Sequence, residues 1–587
     1  MSEPLPPAVH SIKTKVLVPG TASGSLLVAD TGLSFWGGVD PLSGDVIDQH
    51  HPLFGHNING CVLAIPSGRG SCSGSGALLE LILNGCAPAA LIFTEAEDIL
   101  TLGVMVAEAL FNHTLPVVRI NRADFSALES GHAAAINHDQ LVLAPLDIEL
   151  PVPAARVNNN TNSSLELTTV DLAALNGEYG AAVAIAMKVI LHIAEIQGAK
   201  TLIDVSQAHI DACIYHGPSS LHFAQKLQEL DAKFKIPTTL NAISVDDRNW
   251  KQHGIDNAVG QPASDLGHAY MHMGAEISYT CAPYLLDTAP QFGDQIVWAE
   301  SNAVMFANSV IGARTQKYPD FLDVFIALTG KAPASGSHLD AGRQPTVCIA
   351  VELLHSLDES LWPLLGYTIG LHASNDIPFI TGLEHTQPGL DDLKAFSAAF
   401  ATTGSSSMFH LAGITPEAVG AKHYCDQTGM LNSAIKISRG ELLTSYHELN
   451  SATSPVVDAV CLGNPHFSLS ECEKLAALCK GRTKHADTKI MVTMGRAVYE
   501  NATKAGLISS LEGFGVQFIT DTCWCMIVDP LIPPEAKTLM TNSGKYAHYG
   551  PALVNRGIYF DTLAACVDAA CNGTHKSNIP DWLREAD

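Results

Sequence analysis

Nine consecutive residues concentrate the means for chemistry: Gly68-Arg-Gly-Ser-Cys-Ser-Gly-Ser-Gly76. An apolar run, Cys61–Pro66, precedes them and helix-forming residues from Ala77 to Asn84 follow, so the spacing predicts a strand, a glycine-rich turn and a helix. In that arrangement the unbonded N–H groups of the first helical turn and the positive end of the helix converge on one point, where a carboxylate or phosphate could be held. Arg69 adds a bidentate donor, and Ser71, Ser73 and Ser75 add hydroxyls. The common owners of such a loop fit badly. A P-loop ends in Gly-Lys-Ser/Thr, and no lysine is present. The dinucleotide fingerprint needs a glycine where Ser73 stands, and the centre of a serine nucleophile elbow is here Cys72. Read literally, that Gly-x-Cys-x-Gly spacing describes a cysteine hydrolase; a turn without a ligand is the plain alternative.

Three cysteines stand where candidate strands end: Cys281 before Ala282-Pro283, Cys461 before Leu462-Gly463, and Cys523 after Asp521-Thr522. Thiolates from three separate loops could hold an iron–sulfur cluster and leave one iron position open. Spacing alone does not select that reading, because there is no Cys-x-x-Cys pair and buried cysteines are common core residues. Polar groups gather in the same region. Asn176-Gly-Glu-Tyr-Gly180 interrupts a helical pattern, and Asp204-Val-Ser-Gln-Ala-His209 follows a strand. Glu300-Ser301-Asn302 leads through Asn308-Ser309 to Arg314-Thr315-Gln316-Lys317, whose two cations suit either an anion or a solvated surface pair.

The elements that must position these groups read as α/β throughout. Strands at Ala89–Phe93 and Pro116–Ile120 alternate with a helix at Ile99–Phe111. Pro151–Ser164, with two prolines and four asparagines, cannot pack a core and reads as a linker, which gives domains at 1–150 and 167–587 joined by 151–166. Beyond it, a single helix is expected over Thr169–Gly198. Later strands are expected at Thr346–Val351, Pro378–Gly382, Ala459–Gly463, Lys489–Thr493 and Val516–Asp521, so functional groups should lie at strand ends. The 587 residues exceed one hydrophobic core, and 47% hydrophobic against 16% charged residues excludes a mainly disordered chain. A net charge of −26 with no basic run argues against nucleic acid and anionic membranes as partners. No signal-like start, no bilayer-length apolar run and 14 scattered cysteines suggest a reducing, cytoplasmic setting. The oligomeric state is not encoded in any motif.

Taken together, these segments resemble the aconitase X family, over nearly the whole chain and with the small domain first. The resemblance rests on Phe35-Trp-Gly-Gly-Val-Asp-Pro41, His51-Pro52, Pro66-Ser-Gly-Arg-Gly-Ser-Cys-Ser-Gly74, Leu175-Asn-Gly-Glu-Tyr-Gly180, Ser206-Gln-Ala-His209, Thr280-Cys-Ala-Pro-Tyr284, Trp298-Ala-Glu-Ser-Asn302, Gly312-Ala-Arg-Thr315, Gly463-Asn-Pro-His466 and Thr520-Asp-Thr-Cys523. It implies an aconitase-like fold, a small swivelling α/β domain plus a large multi-layer α/β domain, and an iron–sulfur cluster, 2Fe-2S rather than 4Fe-4S. It implies Ser71 as catalytic base and Cys281, Cys461 and Cys523 as cluster ligands, with Cys525 a further candidate. The archaeal branch has a cysteine where Asn464 stands. A substrate-binding set of Arg69, Gly70, Ser73, His209, Ser301, Asn302, Thr315 and Lys317 follows for a small carboxylate substrate. The implied reaction is a lyase reaction, dehydration of cis-3-hydroxy-L-proline to pyrroline-2-carboxylate. Dehydration of mevalonate 5-phosphate is the alternative; a cysteine hydrolase and a metabolite-binding protein are more distant ones.

Overall fold

The computed structural model describes residues 10–48, 51–148, 150, 165–352 and 357–584. Two compact units share the chain: residues 1–203, 216–232 and 319–334 form one, and 204–215, 233–318 and 335–587 the other. In the first unit, short runs rich in Val, Leu, Ile and Ala form eight strands: β1 (His10–Lys13), β2 (Lys15–Val18), β3 (Thr21–Val28), β4 (Val62–Ala64), β5 (Ala90–Phe93), β6 (Val117–Arg119), β7 (His132–Asn137) and β8 (Gln140–Pro145). They make one sheet in the order β1-β8-β7-β3-β4-β5-β6-β2. The centre, β3 to β6, is parallel and the flanks are antiparallel. Every residue of β4 and β5 is buried, as expected of parallel strands covered on both faces. The helix α1 (Gly74–Leu83) follows β4, and α2 (Ile99–Phe111) follows β5.

Two expectations change here. The helix after the glycine-rich loop begins at Gly74, three residues before Ala77, so the last glycines of the loop are its first turn. Close packing accounts for them: a Cβ on Gly74 would lie 3.1 Å from Ile99, and one on Gly76 would lie 2.8 Å from the His216 ring. The helix expected over Thr169–Gly198 is two helices, Thr169–Leu175 and Ala181–Gln197. Gly177 and Gly180 take φ of +84° and +100° between them, a conformation that side-chain-bearing residues avoid. Of the expected linker 151–166, residues 151–164 lie outside the described residues, while Glu166 is already paired with Thr201.

The second unit holds three parallel sheets. One has three strands, Thr238–Leu240, Ala208–Ile210 and Val297–Trp298. Another has four, ordered His410–Leu411, Pro378–Thr381, Val347–Val351 and Ile435–Ile437. A third has five, ordered Val516–Thr520, Lys489–Met494, Ala459–Leu462, Thr538–Thr541 and Gly557–Phe560. Period-two alternation splits Ala459–Leu462 between two cores: Ala459 and Cys461 enter the larger apolar cluster with Trp524 and Tyr546, while Val460 and Leu462 enter the other. Among the described residues no helix is long and apolar enough to cross a membrane.

Candidate functional site: a serine loop and a cysteine pocket

In the first unit, the serine loop leaves the C-terminal end of β4, the edge at which parallel α/β sheets place their sites. Gly70 at φ +81° turns the chain so that Ser71 precedes the helix start. The Ser71 hydroxyl oxygen accepts the backbone N–H of Ser73 at 3.2 Å. Ser75 points back, its hydroxyl within 3.1 Å of the carbonyls of both Cys72 and Asp320, and Ser73 Oγ is buried with no hydrogen bond. Cys72 is fully buried, which removes the geometry a cysteine nucleophile needs. Arg69 meets Asp48 at 2.7 Å through one Nη while 40% of its side chain stays exposed, so it is anchored yet retains donors. Beneath Gly68, whose Cβ would come 2.9 Å from the carboxylate, Glu97 accepts the N–H groups of Leu100 and Thr101 at the start of α2. Burial pushes its carboxyl up to about 7.

The second unit gathers cysteines from separate loops. The backbone N–H of His466 donates to Cys281 Sγ at 3.2 Å, and the Asn464 amide donates to Cys525 Sγ at 3.3 Å. Cys523 and Cys525 share a hydrogen bond that raises the first thiol and lowers the second. Burial pushes Cys281 up to about 12. Lys545 lies buried among the three. Burial alone would discharge it, but Glu300 at 2.9 Å and the charges of Cys525, Cys281 and Cys523 more than offset that cost. Cys461, expected as a ligand with Cys281 and Cys523, lies in the apolar cluster that also holds Trp524 and Tyr546, and burial raises its thiol. It acts on Tyr546 together with Cys525 and Cys523, so it borders the same pocket.

The donor chemistry of this pocket fits an iron–sulfur cluster. It offers the buried thiols of Cys281 and Cys525, the half-buried Cys523 and a neighbouring cation, and the hydroxyls of Thr522 and Tyr546 are buried there without hydrogen bonds. Among the described residues no three His, Cys, Asp or Glu side chains are set to share a single metal ion. A polynuclear cluster asks for something different, thiolates shared out over more than one iron.

Most of the polar residues expected to bind substrate in this unit already carry hydrogen bonds within the protein. His209 has both ring nitrogens engaged: Nε2–H donates to the Thr280 carbonyl at 3.0 Å, and Nδ1 accepts the Thr239 hydroxyl at 2.8 Å. Burial lowers its pKa to about 3, so it is a neutral brace for the strand end that carries Cys281. Asn302 is likewise saturated. Its amide donates to the Cys281 carbonyl at 2.8 Å and to Glu300, and its oxygen accepts the Tyr284 hydroxyl at 2.8 Å. Thr315 is fully buried, accepting the Trp298 N–H at 3.1 Å. Ser301 remains partly exposed in the first turn of the helix Ser301–Met305. Lys317 reaches the Gly404 carbonyl at 3.4 Å, and Arg314 pairs with Asp340.

Residues to which the sequence assigned no role, two of them within the quoted segments ending at Tyr284 and His466, complete the pocket. Lys545, His466 and Tyr284 come from segments far apart in the chain, and no spacing pattern links them. His466 donates through Nε2–H to the Thr522 carbonyl at 2.8 Å and accepts the Thr280 hydroxyl at 3.1 Å, so one imidazole ties the Cys281 and Cys523 loops together. Burial lowers it to about 4.

Models of four domains match the chain: the aconitase X swivel domain over residues 11–144, first domain over 164–341, second over 345–447 and third over 457–572. A cis-3-hydroxy-L-proline dehydratase of Pseudomonas aeruginosa is 50% identical over 579 residues, 98% of this chain and 99% of that protein. The enzyme of that name from Hypocrea jecorina is 49% identical over 581 residues, 97% of each. The phosphomevalonate dehydratase large subunit of Methanocaldococcus jannaschii is 34% identical over 406 residues, 68% of this chain and 98% of that subunit. The crystal structure of Thermococcus kodakaraensis aconitase X in its holo form superposes with a TM-score of 0.62 at 29% identity, covering 69% of this chain and 100% of that one.

Proposed function

Because the chain belongs to the aconitase X family, we propose that it is a hydro-lyase that dehydrates cis-3-hydroxy-L-proline to pyrroline-2-carboxylate. One observation carries this choice of substrate. The relatives named for that reaction match this chain from end to end, swivel part included, whereas the phosphomevalonate dehydratases match as separate large and small subunits. The cations that would favour a phosphorylated substrate are also engaged, Arg314 by Asp340 and Lys317 by a backbone carbonyl.

In this reading the N–H groups at the start of α1 and the remaining donors of Arg69 hold the substrate carboxylate. Ser71 removes the α-proton. The Ser73 N–H on its oxygen and the positive helix end lower the cost of the alkoxide. The electron pair of the broken C–H bond forms the double bond as the C–O bond breaks. The enamine so formed tautomerises to the cyclic imine. Cys281, Cys523 and Cys525 would hold the iron–sulfur cluster, of the two-iron type. When bound it supplies a Lewis acid for the departing hydroxyl. His466, His209 and Asn302 keep the thiol-bearing loops fixed. Among the described residues no disulfide is formed, which fits a reducing compartment, and we place the enzyme in the cytoplasm.

Anaerobically prepared protein should turn over cis-3-hydroxy-L-proline in preference to mevalonate 5-phosphate, with iron and sulfide both quantifiable. Ser71→Ala should lower kcat by roughly 100- to 10,000-fold with iron content unchanged. Full activity in that variant removes Ser71 from the mechanism.

A further inference from the structure

The two turns that carry Cys281 and Cys523 are tied to each other twice. One tie is His466, which bridges Thr280 and Thr522, the residues immediately before the two cysteines. The second lies one position further back, at Tyr279 and Asp521. Both residues are fully buried, and both take positive φ, +40° and +69°, where a side-chain-bearing residue is strained. Such conformations persist only where the surroundings over-determine them, so these two residues must be held in place.

Arg496 is placed to hold them. The strand Lys489–Met494 runs parallel to Val516–Thr520 with Met494 opposite Thr520, so the residues that follow the two strands leave the sheet side by side. Gly495 makes the turn into the helix Arg496–Lys504. A Cβ there would crowd Thr280 at 3.0 Å, so the helix starts hard against the Cys281 turn. Arg496 donates twice to Asp521, Nε to Oδ1 at 2.5 Å and Nη2 to Oδ2 at 2.6 Å, a fork that fixes the direction of a carboxylate as well as its position. Its guanidinium carbon lies 5.1 Å from the centre of the Tyr279 ring, within reach of cation–π attraction. Asp247 adds a longer contact to Nη2 at 3.5 Å. One side chain therefore meets the residue two before Cys281 and the residue two before Cys523. An apolar contact would close the same gap with no charge to desolvate; what the fork adds is orientation.

We propose that Arg496 is a positioning residue for the iron–sulfur cluster: by gripping Asp521 and covering Tyr279, it sets the spacing and direction of the two turns that carry Cys281 and Cys523. The proposal rests on those two cysteines as ligands. Arg496 acts through the turns and not on the cluster itself, so its loss should loosen and distort the cluster without unfolding the chain.

The test compares full-length, cluster-loaded proteins by iron release to a chelator, visible circular dichroism of the cluster and the unfolding midpoint in urea. Arg496→Lys keeps a charge beside Asp521 but loses the fork and the flat face over Tyr279. Its iron release should quicken by roughly tenfold and its dichroism should change, with the midpoint close to that of the unaltered protein. Arg496→Met combined with Asp521→Asn removes both charges, leaves no buried ion unpaired and should quicken release by roughly 100-fold. Arg343→Lys is the control: Arg343 makes a buried two-point pair with Glu417, and its other bonds run to Asn308 and Ser337. It should lower the midpoint and leave release and dichroism as they were. Unchanged release and dichroism in both Arg496 variants overturn the proposal, as does a quickened release that Arg343→Lys reproduces in proportion to its loss of stability. Iron retained in full by Cys281→Ser and Cys523→Ser overturns the ligand assignment and takes the proposal with it.

Discussion

Around the start of α1, the reserve of unspent polarity is titratable: the Ser73 hydroxyl, the His216 imidazole and the Asp320 carboxylate have atoms with no hydrogen-bond partner. Around Cys281 and Cys523 the imidazoles and amides are used up. His209, His466 and Asn302 each tie a backbone carbonyl to a side-chain partner, the sulfurs of Cys281 and Cys525 accept N–H groups, and the hydroxyls of Thr522 and Tyr546 are left without a hydrogen bond. The two regions thus invest in different chemistries. A site that moves protons needs donors and acceptors free to change partners, whereas a site that grips an inorganic group needs its ligands fixed and their supports rigid.

The sharpest way to break that contrast is through the thiols. Cys281→Ser and Cys523→Ser should each lose bound iron and all measurable turnover. Cys525→Ser should do the same, because Cys525 is hydrogen-bonded to Cys523. Cys461→Ser should keep its iron and pay only for a hydroxyl placed in an apolar core, about 1–3 kcal/mol in a denaturation experiment. Iron retained in Cys525→Ser but lost in Cys461→Ser would reassign the third ligand. Next in size is the support. Asn302→Ala removes the donor to the Cys281 carbonyl and the acceptor of Tyr284, and should weaken iron retention or turnover by roughly 10- to 100-fold.

Arg69 probes the other region. Asp48 occupies one of its donors, and its side chain stays 40% exposed, so Arg69→Ala should shift stability by less than about 1 kcal/mol. Loss of a charge-assisted bond to the substrate carboxylate should instead raise KM by roughly tenfold with kcat little changed. An unchanged KM would leave carboxylate binding to the loop N–H groups alone.

How much of this could be read in the sequence follows from the range of the forces involved. The loop Gly68–Gly76 was legible because strand, turn and helix are local, although the helix start fell three residues early where Gly74 and Gly76 admit close neighbours. Cys281 and Cys523 lie at turns after strands and could be picked out by position. Cys461 could not be told from them, because which face of a strand meets which core depends on the sheets packed around it. The same limit hid the hydrogen-bond partners of His209, Asn302 and Thr315. Polar residues at strand ends look alike in sequence whether they face a ligand or satisfy a distant carbonyl. The His216–Asp320 pair is beyond sequence reading altogether, with 103 positions between its members and no motif around either.

The smallest expected effect concerns Glu97, which puts the contrast on a pH axis. Glu300, in the cysteine pocket, is ion-paired to Lys545; Glu97, under the serine loop, has backbone and hydroxyl donors but no cation, and burial raises it to about 7. A carboxyl held above its unfolded value favours the folded state while both forms are protonated. That advantage is lost as pH rises, because the unfolded chain ionises first, near 4.5, and the folded one only near 7. Glu97→Gln cannot ionise and still accepts an N–H from α2. Between about pH 5 and 7 the unaltered protein should therefore lose stability relative to the variant, by about 1–3 kcal/mol, with kcat the same in both. Denaturation midpoints at pH 5, 6 and 7 in roughly equal buffers would show this as a narrowing gap on acidification. A gap that does not change with pH would mean that Glu97 keeps its charge across the range, and that the serine loop is underlain by a fixed anion rather than a titrating one.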